Sequence, residues 1–354
     1  MELLDFRNYG NLNLTGFSNI NIVIGSNGVG KTNIVEAIYL LSLARSLRPG
    51  TNRNLIRFGQ DFARISANIQ TNRNHNLELV IGKDFKRAKI DKMEMEKISD
   101  FVGILNVVAF TPDDLNLVKG SPQIKRRFLN LELSKISPIY LFGLNKFNYL
   151  LKERNKYLKM ASRYDEYLEV IDEQLIKLQL DIEKKRCDFV GLLAEIVQPV
   201  YKKIAGNDDI IKLELESAID FRKNKEELLQ QYQNNFVKDK REQKTSLGVH
   251  RDNLKININS KDAFHFGSQG QIRTIVLSVK IALVELIKQE IGEYPVLLLD
   301  DVMSELDPNR QNNLLNFLSQ DIQTFITTTS FDGLIAEIIE NAHNIHIKGV
   351  NDGR

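Results

Sequence analysis

The stretch that decides the fold of this chain is residues 25–32, which read Gly25-Ser26-Asn27-Gly28-Val29-Gly30-Lys31-Thr32. They fit the phosphate-loop pattern G-x-x-x-x-G-K-[ST] at every defined position. A short apolar run rich in β-branched residues precedes them, and from Lys31 onward apolar residues follow at helical spacing. A strand, a glycine-rich loop and a helix in this order predict a P-loop α/β fold.

The residue types in this loop suit the phosphates of ATP. Its glycines let several backbone N–H groups point at one phosphate, through dihedral angles that other residues resist. Lys31 would place a compact positive charge against the β and γ oxygens, and the Thr32 hydroxyl would ligate Mg²⁺. The helix that starts here directs the positive end of its dipole at the anion. We therefore predict that all eight residues contact ATP, with Lys31 also acting in catalysis.

A second stretch, residues 296–301, is an aliphatic strand that ends in two carboxylates, Asp300 and Asp301. In P-loop ATPases such a strand lies beside the loop strand, and its first carboxylate holds Mg²⁺. We assign this role to Asp300, and we expect Asp301 to orient or deprotonate the water that attacks the γ-phosphate. The alternative is an acidic pair that only terminates a strand at the solvent.

The composition is that of a globular protein with more than one core. The chain has 354 residues, of which 42% are hydrophobic and 27% charged, and this length favours two domains or one domain with an insertion. No run approaches the roughly 18 apolar residues of a membrane span, and the first residues lack the basic and apolar regions of a signal peptide. Cys187 is the only cysteine, which excludes an internal disulfide and a thiolate zinc site. We expect a cytoplasmic protein.

The character of the sequence changes between residues 123 and 245 to long, charged, helical segments. A heptad seam continues there for more than three repeats. Its members are Tyr164, Leu168, Ile171, Leu175, Leu178, Ile182 and Phe189. We predict antiparallel helices that form a short arm domain, with an ordinary helical bundle as the alternative. Residues 1–122 and 246–354 each hold half of the predicted site, so together they would form one ATPase head.

Three further stretches resemble one class of P-loop proteins. Residues 266–271 resemble the signature loop of the ABC-type ATPases. The matching residues are Ser268, Gly270 and Gln271, with Gln269 in place of the usual glycine. Residues 304–307 resemble the D-loop that follows the acidic strand, and residues 3–9 look like the first strand of the SMC-type ATPases. The resemblance implies an ABC-type head assembled from the N- and C-terminal segments, with the helical arm inserted between them.

Within this class the chain is similar over its whole length to the RecF family, the bacterial recombination mediators. The narrowest shared stretches are Lys119-Gly120-Ser121-Pro122 with Arg126-Arg127, and Gly248-Val249-His250-Arg251-Asp252. The other stretches that carry the similarity are residues 6–9, 25–32, 111–115, 267–274 and 297–307.

The resemblance implies how such a head would work. Its signature loop cannot reach its own nucleotide, so two heads would bind face to face, with Ser268 of one contacting the γ-phosphate held by Lys31 of the other. ATP would hold this homodimer together, and slow hydrolysis would release it. The family's dimer binds double-stranded DNA at duplex–single-strand junctions, and it works with RecR to help load RecA at gaps.

The sequence departs from the ABC-type pattern at three points. Asp301 stands where these enzymes commonly carry a glutamate, and its shorter side chain predicts slow hydrolysis. No glutamine follows Phe110, where the family's magnesium-contacting loop would lie, and residues 327–330 contain no switch histidine. His250 is a candidate substitute for this γ-phosphate sensor, but a structural histidine is the favoured interpretation.

Basic residues concentrate near the start of the predicted arm. Between Lys119 and Arg163 there are eleven lysines and arginines against two glutamates, a surplus that attracts polyanions. From the charge alone a solvated helical face is the simpler explanation, but the RecF resemblance favours contact with DNA phosphates. The leading candidates are Lys125, Arg126 and Arg127, and a second group consists of Arg45, Arg48, Arg53 and Arg57.

Three other functions are compatible with the phosphate loop alone. An ABC transporter subunit would place residues 25–32 and 266–271 much closer together. A structural SMC-type protein would need a longer arm than residues 123–245 provide, because a helix rises only about 1.5 Å per residue. A small-molecule kinase would need neither the signature-like loop nor the D-loop.

Overall fold

The computed structural model of the chain describes residues 1–48, 50–303, 306–317, 321–331, 334 and 336–347. The chain divides into two compact units. Unit 1 consists of Met1–Asp114, Lys203–Gly206 and Leu277–Arg354, and unit 2 consists of Leu115–Lys202 and Asn207–Val276. The predicted domain boundaries at residues 122 and 245 do not coincide with these divisions, since residues 246–276 belong to the unit that contains the arm.

The strands and helices are numbered in chain order. The strands are β1 (Glu2–Phe6), β2 (Tyr9–Asn13), β3 (Ile20–Ile24), β4 (Phe62–Gln70), β5 (Asn74–Gly82), β6 (Lys86–Ile90), β7 (Met93–Glu94), β8 (Val107–Phe110), β9 (Ile211–Glu216), β10 (Asn253–Ile258), β11 (Lys261–Asp262), β12 (Val296–Asp300), β13 (Thr324–Thr328) and β14 (His343–His346). The helices are α1 (Lys31–Leu43), α2 (Asn116–Lys119), α3 (Pro122–Ile136), α4 (Pro138–Tyr157), α5 (Glu166–Ala205), α6 (Lys225–Glu242), α7 (Ala263–Phe266), α8 (Gln269–Ile291), α9 (Pro308–Leu315) and α10 (Ala336–Asn341).

The centre of unit 1 is a parallel sheet of five strands in the order β14-β3-β13-β12-β8. Ile22 of β3 pairs with Ile326 of β13, and Leu299 of β12 pairs with Ile326 on one side and Phe110 on the other. The inner strands are almost continuously buried, as parallel strands covered on both faces must be. The sheet unites segments from both ends of the chain, which confirms the predicted α/β head.

A six-stranded antiparallel sheet in the order β2-β1-β4-β5-β6-β7 forms the second layer of unit 1. Helix α1 contacts strands of both sheets, and eleven of its 13 residues are buried. A helix that is apolar on nearly all sides requires such a position between two layers. The helix that follows the phosphate loop is therefore fixed by packing on both of its faces.

Unit 2 is mainly helical, but it also contains a small antiparallel sheet in the order β11-β10-β9. Strand β9 lies between residues 123 and 245, where long helical segments were predicted, so the sequence pattern did not reveal this strand. Its residues alternate between buried apolar and more exposed charged side chains, which is the period of a half-buried strand. The pairing of β9 with β10 explains why residues 246–276 belong to unit 2.

Six of the seven members of the predicted heptad seam lie on α5, a single helix of 40 residues, and Tyr164 precedes its first residue. The buried members of the seam are Leu168, Ile171, Leu175, Ile182 and Phe189. Helix α4 runs antiparallel to α5, because Tyr140 near the start of α4 bonds to Arg186, while Arg154 near the end of α4 bonds to Asp172. The antiparallel pairing of helices is thus confirmed. In the described part of the chain no helix is long and apolar enough to cross a membrane.

Two buried arginines link the helices of unit 2. Arg154 donates to Asp172 of α5 and, at 2.7 Å, to Asp239 of α6. Arg186 of α5 donates to Asp252, which directly precedes β10. Separating the partners of a buried ion pair leaves an uncompensated buried charge, which is strongly destabilising. These bonds therefore fix how α4, α5, α6 and β10 align.

Candidate active site

The phosphate loop lies between β3 and α1 in unit 1, as the sequence predicts. Lys31 Nζ donates to the backbone carbonyls of Gly25 at 2.7 Å and Ser26 at 3.0 Å, so its ammonium group lies against the loop backbone. Gly28 has a φ of +78°, and a Cβ there would meet nothing within 4 Å. Its left-handed backbone, and not crowding, therefore explains the glycine.

Thr32 and Asp300 meet at the carboxyl edge of the parallel sheet. Thr32 Oγ1 donates to Asp300 Oδ1 at 3.0 Å, and Thr327 Oγ1 donates to the same oxygen at 2.7 Å. The prediction that the acidic strand lies beside the loop strand was wrong, because β13 lies between β3 and β12. Thr32 still reaches Asp300, since it stands in the first turn of α1 beyond the end of β3.

The surroundings of Asp300 suit a hard divalent cation. Burial raises the pKa of its carboxyl group, although the hydrogen bonds from Thr327 and Thr32 oppose that shift. A carboxylate beside a hydroxyl offers the oxygen ligands that Mg²⁺ takes together with phosphate oxygens and water. Among the described residues no cluster of three or more His, Cys, Asp or Glu could hold a metal by itself. The donor set therefore fits a cation that shares its ligands with a nucleotide.

Asp301 adjoins this pair but lies in a different environment. It is exposed, and its φ is +56°, a conformation that non-glycine residues rarely adopt and that persists where neighbouring groups enforce it. Its backbone N–H donates to Thr327 Oγ1 at 3.0 Å. The Thr327 hydroxyl thus contacts both acidic residues. Sequence reasoning missed this threonine, although its position at the end of a strand was the available signal.

A second contact that the sequence did not indicate comes from the turn between β1 and β2. Asn8 Nδ2 donates to the Val29 carbonyl of the phosphate loop at 2.9 Å. The only sequence signal was the place of Asn8 in residues 6–9, a stretch that carries the family resemblance. The pattern gave no reason to connect it with residues 25–32.

The predicted D-loop is described only in part, because Ser304 and Glu305 lie outside the described residues. Leu306 is buried. Asp307 Oδ1 accepts from the backbone N–H of Arg310 at 3.1 Å and so caps α9. This bond is a helix cap of the ordinary kind.

The signature-like residues lie in unit 2, at the start of α8. Ser268 Oγ accepts from the Gln271 backbone N–H at 3.2 Å, and Gln271 Oε1 accepts from the Ser268 N–H at 2.9 Å. This reciprocal pair is a capping box, which satisfies N–H groups that a helix start leaves unpaired. Gln271 Nε2 also donates to Asp209 at 2.9 Å. Ser268, Gly270 and Gln271 therefore shape the helix start, while the hydroxyl proton of Ser268 is not used by the cap.

His250 is held inside unit 2. Its Nε2 lies 2.9 Å from the Thr245 carbonyl, and its ring lies 6.0 Å from that of Phe147. Burial lowers its pKa to about 4, so the ring is neutral near pH 7. These contacts favour the structural histidine over the γ-phosphate sensor.

The three leading DNA candidates on α3 differ in exposure. Lys125 is only 9% exposed, and burial lowers the pKa of its ammonium group. Arg126 is half-buried and donates to the Asp252 carbonyl at 2.7 Å, whereas Arg127 is exposed. A buried side chain is poorly placed to pair with a DNA phosphate. The structure therefore disfavours Lys125 and leaves Arg127 as the most accessible candidate.

The basic surplus of residues 119–163 is smaller at the surface than in the sequence. Lys135 is buried and paired with Glu132, and Arg154 is buried with its two aspartates.

The second group of candidate DNA-binding residues, which follows α1, is more accessible. Arg45, Arg48 and Arg53 are exposed, and Arg57 is half-buried at 3.6 Å from Asp5.

The sequence is similar to known proteins along nearly its whole length. The model of the family described as RecF/RecN/SMC N-terminal domain matches residues 1–349. The DNA replication and repair protein RecF of Bacillus cytotoxicus is 43% identical over 357 residues, which cover 98% of this chain and 96% of that protein. The protein of the same name from Bacillus cereus is 42% identical over 358 residues, with the same coverage.

Comparisons of structure give the same result. A solved structure of the recombination mediator protein RecF with ATP, from the RecFOR pathway, matches with a TM-score of 0.88 at 29% identity. The match covers 94% of this chain and 92% of that one. The Smc head domain of Pyrococcus furiosus, at 15% identity and a TM-score of 0.55, shares the fold. The P-loop head with an inserted helical unit, and its similarity to RecF along nearly the whole chain, show that this chain belongs to the RecF family.

Proposed function

We propose that this chain is an ATPase that binds duplex DNA in recombinational DNA repair and replication. The observation that carries the proposal is the hydrogen bond of 3.0 Å between Thr32 Oγ1 and Asp300 Oδ1. It brings together the phosphate loop and the acidic strand end, which are far apart in the sequence. The similarity to a RecF protein solved with ATP supports ATP as the nucleotide.

Each residue of the site would have one task in ATP hydrolysis. Backbone N–H groups of residues 25–32 would bind the phosphates, and Lys31 would bind the β and γ oxygens. Thr32 and Asp300 would hold Mg²⁺, which supplies positive charge against the charge that develops on the phosphates. Asp301, exposed beside Asp300, would orient or deprotonate the attacking water. Because an aspartate reaches less far than a glutamate, we expect slow turnover.

We infer that ATP joins two copies of this chain. In the dimer, Ser268 of one copy would donate to the γ-phosphate bound by the other, with Gly270 and Gln271 shaping the loop. The capping box supports this role, because Ser268 Oγ accepts a bond there and keeps its proton for a ligand. The positive end of the α8 dipole would also face this γ-phosphate. Since ADP lacks the γ-phosphate, ADP would not hold the two copies together.

Exposed arginines of each unit would bind DNA. Arg127 on α3, and Arg45, Arg48 and Arg53 after α1, would contact phosphates without reading the base sequence. Binding of this kind weakens steeply as the salt concentration rises. By its membership of the RecF family, the chain would prefer junctions between duplex and single strand. It would act together with RecR, and the two proteins would help to load RecA at gaps.

The experiment that tests this function compares ATP with ADP in sedimentation velocity and measures ATP hydrolysis with and without duplex DNA. We expect a dimer with ATP only, and faster hydrolysis with DNA. Lys31→Met should abolish nucleotide binding, and Asp301→Asn should trap the ATP-bound dimer. Lys97→Met, which changes an exposed lysine of the same unit, should alter neither property.

Two results would contradict the proposal. A protein that binds ATP but stays monomeric at all concentrations would overturn the dimer. Phosphate transfer from ATP to a small metabolite, with no response to DNA, would show that the protein is a small-molecule kinase and not a DNA-dependent ATPase.

A further inference from the structure

The turn between β1 and β2 bonds to the phosphate loop and to the helix that follows it. Asn8 Nδ2 donates to the Val29 carbonyl at 2.9 Å. Asn33, in the first turn of α1, donates from its Nδ2 to Asn8 Oδ1 at 2.8 Å. One amide side chain thus bonds to the loop through its donor and to the helix through its acceptor.

The geometry of the peptide bond gives the contact with Val29 a consequence for the loop. In a planar trans peptide the carbonyl oxygen and the next N–H point in opposite directions. When Asn8 holds the Val29 oxygen on its own side, the N–H of Gly30 must face away from Asn8. Phosphate loops bind their ligand through inward-facing N–H groups of this kind.

We propose that Asn8 is a positioning residue of the phosphate loop: its amide fixes the Val29–Gly30 peptide so that the Gly30 N–H is available to a nucleotide phosphate. The inference rests on the proposed function, because it requires residues 25–32 to bind phosphate. Asn8 itself does not touch the nucleotide and acts only through the loop.

The turn between β1 and β2 packs closely against Gly30. A Cβ at Gly30 would lie 2.7 Å from Asn8 Nδ2 and 2.7 Å from the Tyr9 hydroxyl. The Tyr9 side chain is buried, and its hydroxyl has no hydrogen-bond partner in the part of the chain that the structure describes. The turn therefore contacts the backbone of Gly30 directly.

An ion pair fixes the turn on the same helix. Arg7 Nε and Nη2 donate to the two carboxylate oxygens of Glu36, each at 2.8 Å, and Glu36 is fully buried in α1. Two parallel bonds of this kind fix orientation as well as distance. Arg7 also has a φ of +55°, which a turn adopts only where such contacts hold it. The position of Asn8 is thus set before any ligand binds.

The chemistry of the side chain explains why an asparagine serves here. It must donate to Val29 and accept from Asn33 at once, and an amide does both through two separate atoms, its nitrogen and its oxygen. The Val29 carbonyl can only accept, so it requires the nitrogen of Asn8, and the bond donated by Asn33 holds the amide in that orientation. Asp at position 8 would keep the acceptor, lose the donor and place a negative charge next to the loop.

The test measures the Kd of ATP for wild type, Asn8→Ala, Asn8→Asp, Asn33→Ala and the double variant Asn8→Ala/Asn33→Ala. We expect Asn8→Ala to weaken ATP binding about five- to tenfold, as the loss of one hydrogen bond does. Asn8→Asp should weaken it further although its size is unchanged. Asn11→Ala, an exposed asparagine in the adjacent strand, should bind ATP like wild type.

The double variant separates positioning from a general loss of stability. If Asn33 acts only by orienting Asn8, the double variant should bind ATP no more weakly than Asn8→Ala alone. If the losses of ATP affinity in the two single variants add up in the double variant, the two residues have independent structural roles and the proposal is overturned. Asn8 variants that bind ATP within twofold of wild type would also overturn it. If wild type itself fails to bind ATP, the proposed function fails. Should Asn8→Ala not fold, the isosteric Asn8→Asp carries the same test.

Discussion

Thr327 and Asp300 lie on neighbouring parallel strands, and the Thr327 hydroxyl donates to Asp300 Oδ1 at 2.7 Å while accepting from the Asp301 N–H at 3.0 Å. One hydroxyl therefore orients two groups. These are the carboxylate of Asp300, which we propose binds Mg²⁺, and the backbone of Asp301, which we propose positions the attacking water. Mutation of groups that orient metal ligands typically lowers metal affinity or activity by about 10- to 100-fold.

We expect Thr327→Val, which keeps the shape of the side chain, to slow Mg²⁺-dependent ATP hydrolysis about tenfold. The ATP Kd should change little, because residues 25–32 are untouched. Hydrolysis rates measured across a range of Mg²⁺ concentrations check this. Thr324→Val, at the other end of the same strand, is the control, and equal rates for the two variants would refute the role of Thr327.

The glycines of the phosphate loop should differ in their tolerance of alanine. Gly28 needs only its left-handed backbone, so Gly28→Ala should lower the free energy of unfolding by about 1–2 kcal/mol. Gly30 has a φ of +114°, and its Cβ would also collide with Asn8 and Tyr9. We expect Gly30→Ala to lose ATP binding and to cost more stability. Urea unfolding and ATP titration of both variants make the comparison, and equal effects would contradict the crowding at Gly30.

Glu183 of α5 should make the stability of unit 2 depend on pH. Burial, with the nearby carboxylates of Asp252 and Asp220, raises its pKa from 4.5 to about 7. Between these values the folded form holds a proton that the unfolded form has released. Stability therefore falls as pH rises from about 4.5 to 7, by up to roughly 3 kcal/mol at 1.36 kcal/mol for each pH unit. Above pH 7 this contribution is constant.

The variant Glu183→Gln isolates this effect. His250 opposes it in wild type, because its pKa is lowered from 6.5 to about 4, so its contribution to stability is lost as pH falls through that range. The difference in unfolding free energy between Glu183→Gln and wild type should thus grow from pH 4.5 to pH 7 and then level off. Urea unfolding at pH 5, 6, 7 and 8 measures it, and a difference independent of pH would remove Glu183 as the cause.

Exposure should decide which residues of α3 contact DNA. The DNA-binding constant falls as the salt concentration rises, and a plot of its logarithm against log salt gives the slope. Arg127→Gln should make this slope less steep by about one unit, as the loss of one phosphate contact does. Lys125→Gln should leave the slope unchanged, because this lysine is buried. Fluorescence anisotropy with a duplex at several salt concentrations distinguishes them. A reduced slope for Lys125→Gln alone would reverse the assignment.

The sequence predicted the elements of the site well, because their signals are local. The strand at residues 296–300 and the helix that starts at Lys31 are where the apolar pattern placed them. The order of the strands had no such signal. Parallel neighbours are joined by long crossovers, so nothing in β12 or β13 marks which of them lies next to β3.

Other features of the structure were not predicted from the sequence for similar physical reasons. The alternation of β9 was present in residues 211–216, but only six residues carry it between two long charged helices. The roles of Thr327 and Asn8 depend on single side-chain contacts across the fold. Asn8 reaches Val29 only because Arg7 adopts a left-handed backbone and binds Glu36, and no periodicity reports such a turn.

The pairing of β3 with β13 and β14 also sets an order of events during protein synthesis. Lys31 leaves the ribosome long before Asp300, by roughly 15–50 s at common elongation rates of about 5–20 residues per second. All of unit 2, which ends at Val276, is translated in that interval and can fold first. Strands β3 and β8 are translated long before β12, β13 and β14, their partners in the parallel sheet. This sheet therefore stays incomplete, with unpaired edges that favour aggregation, until the last strands emerge.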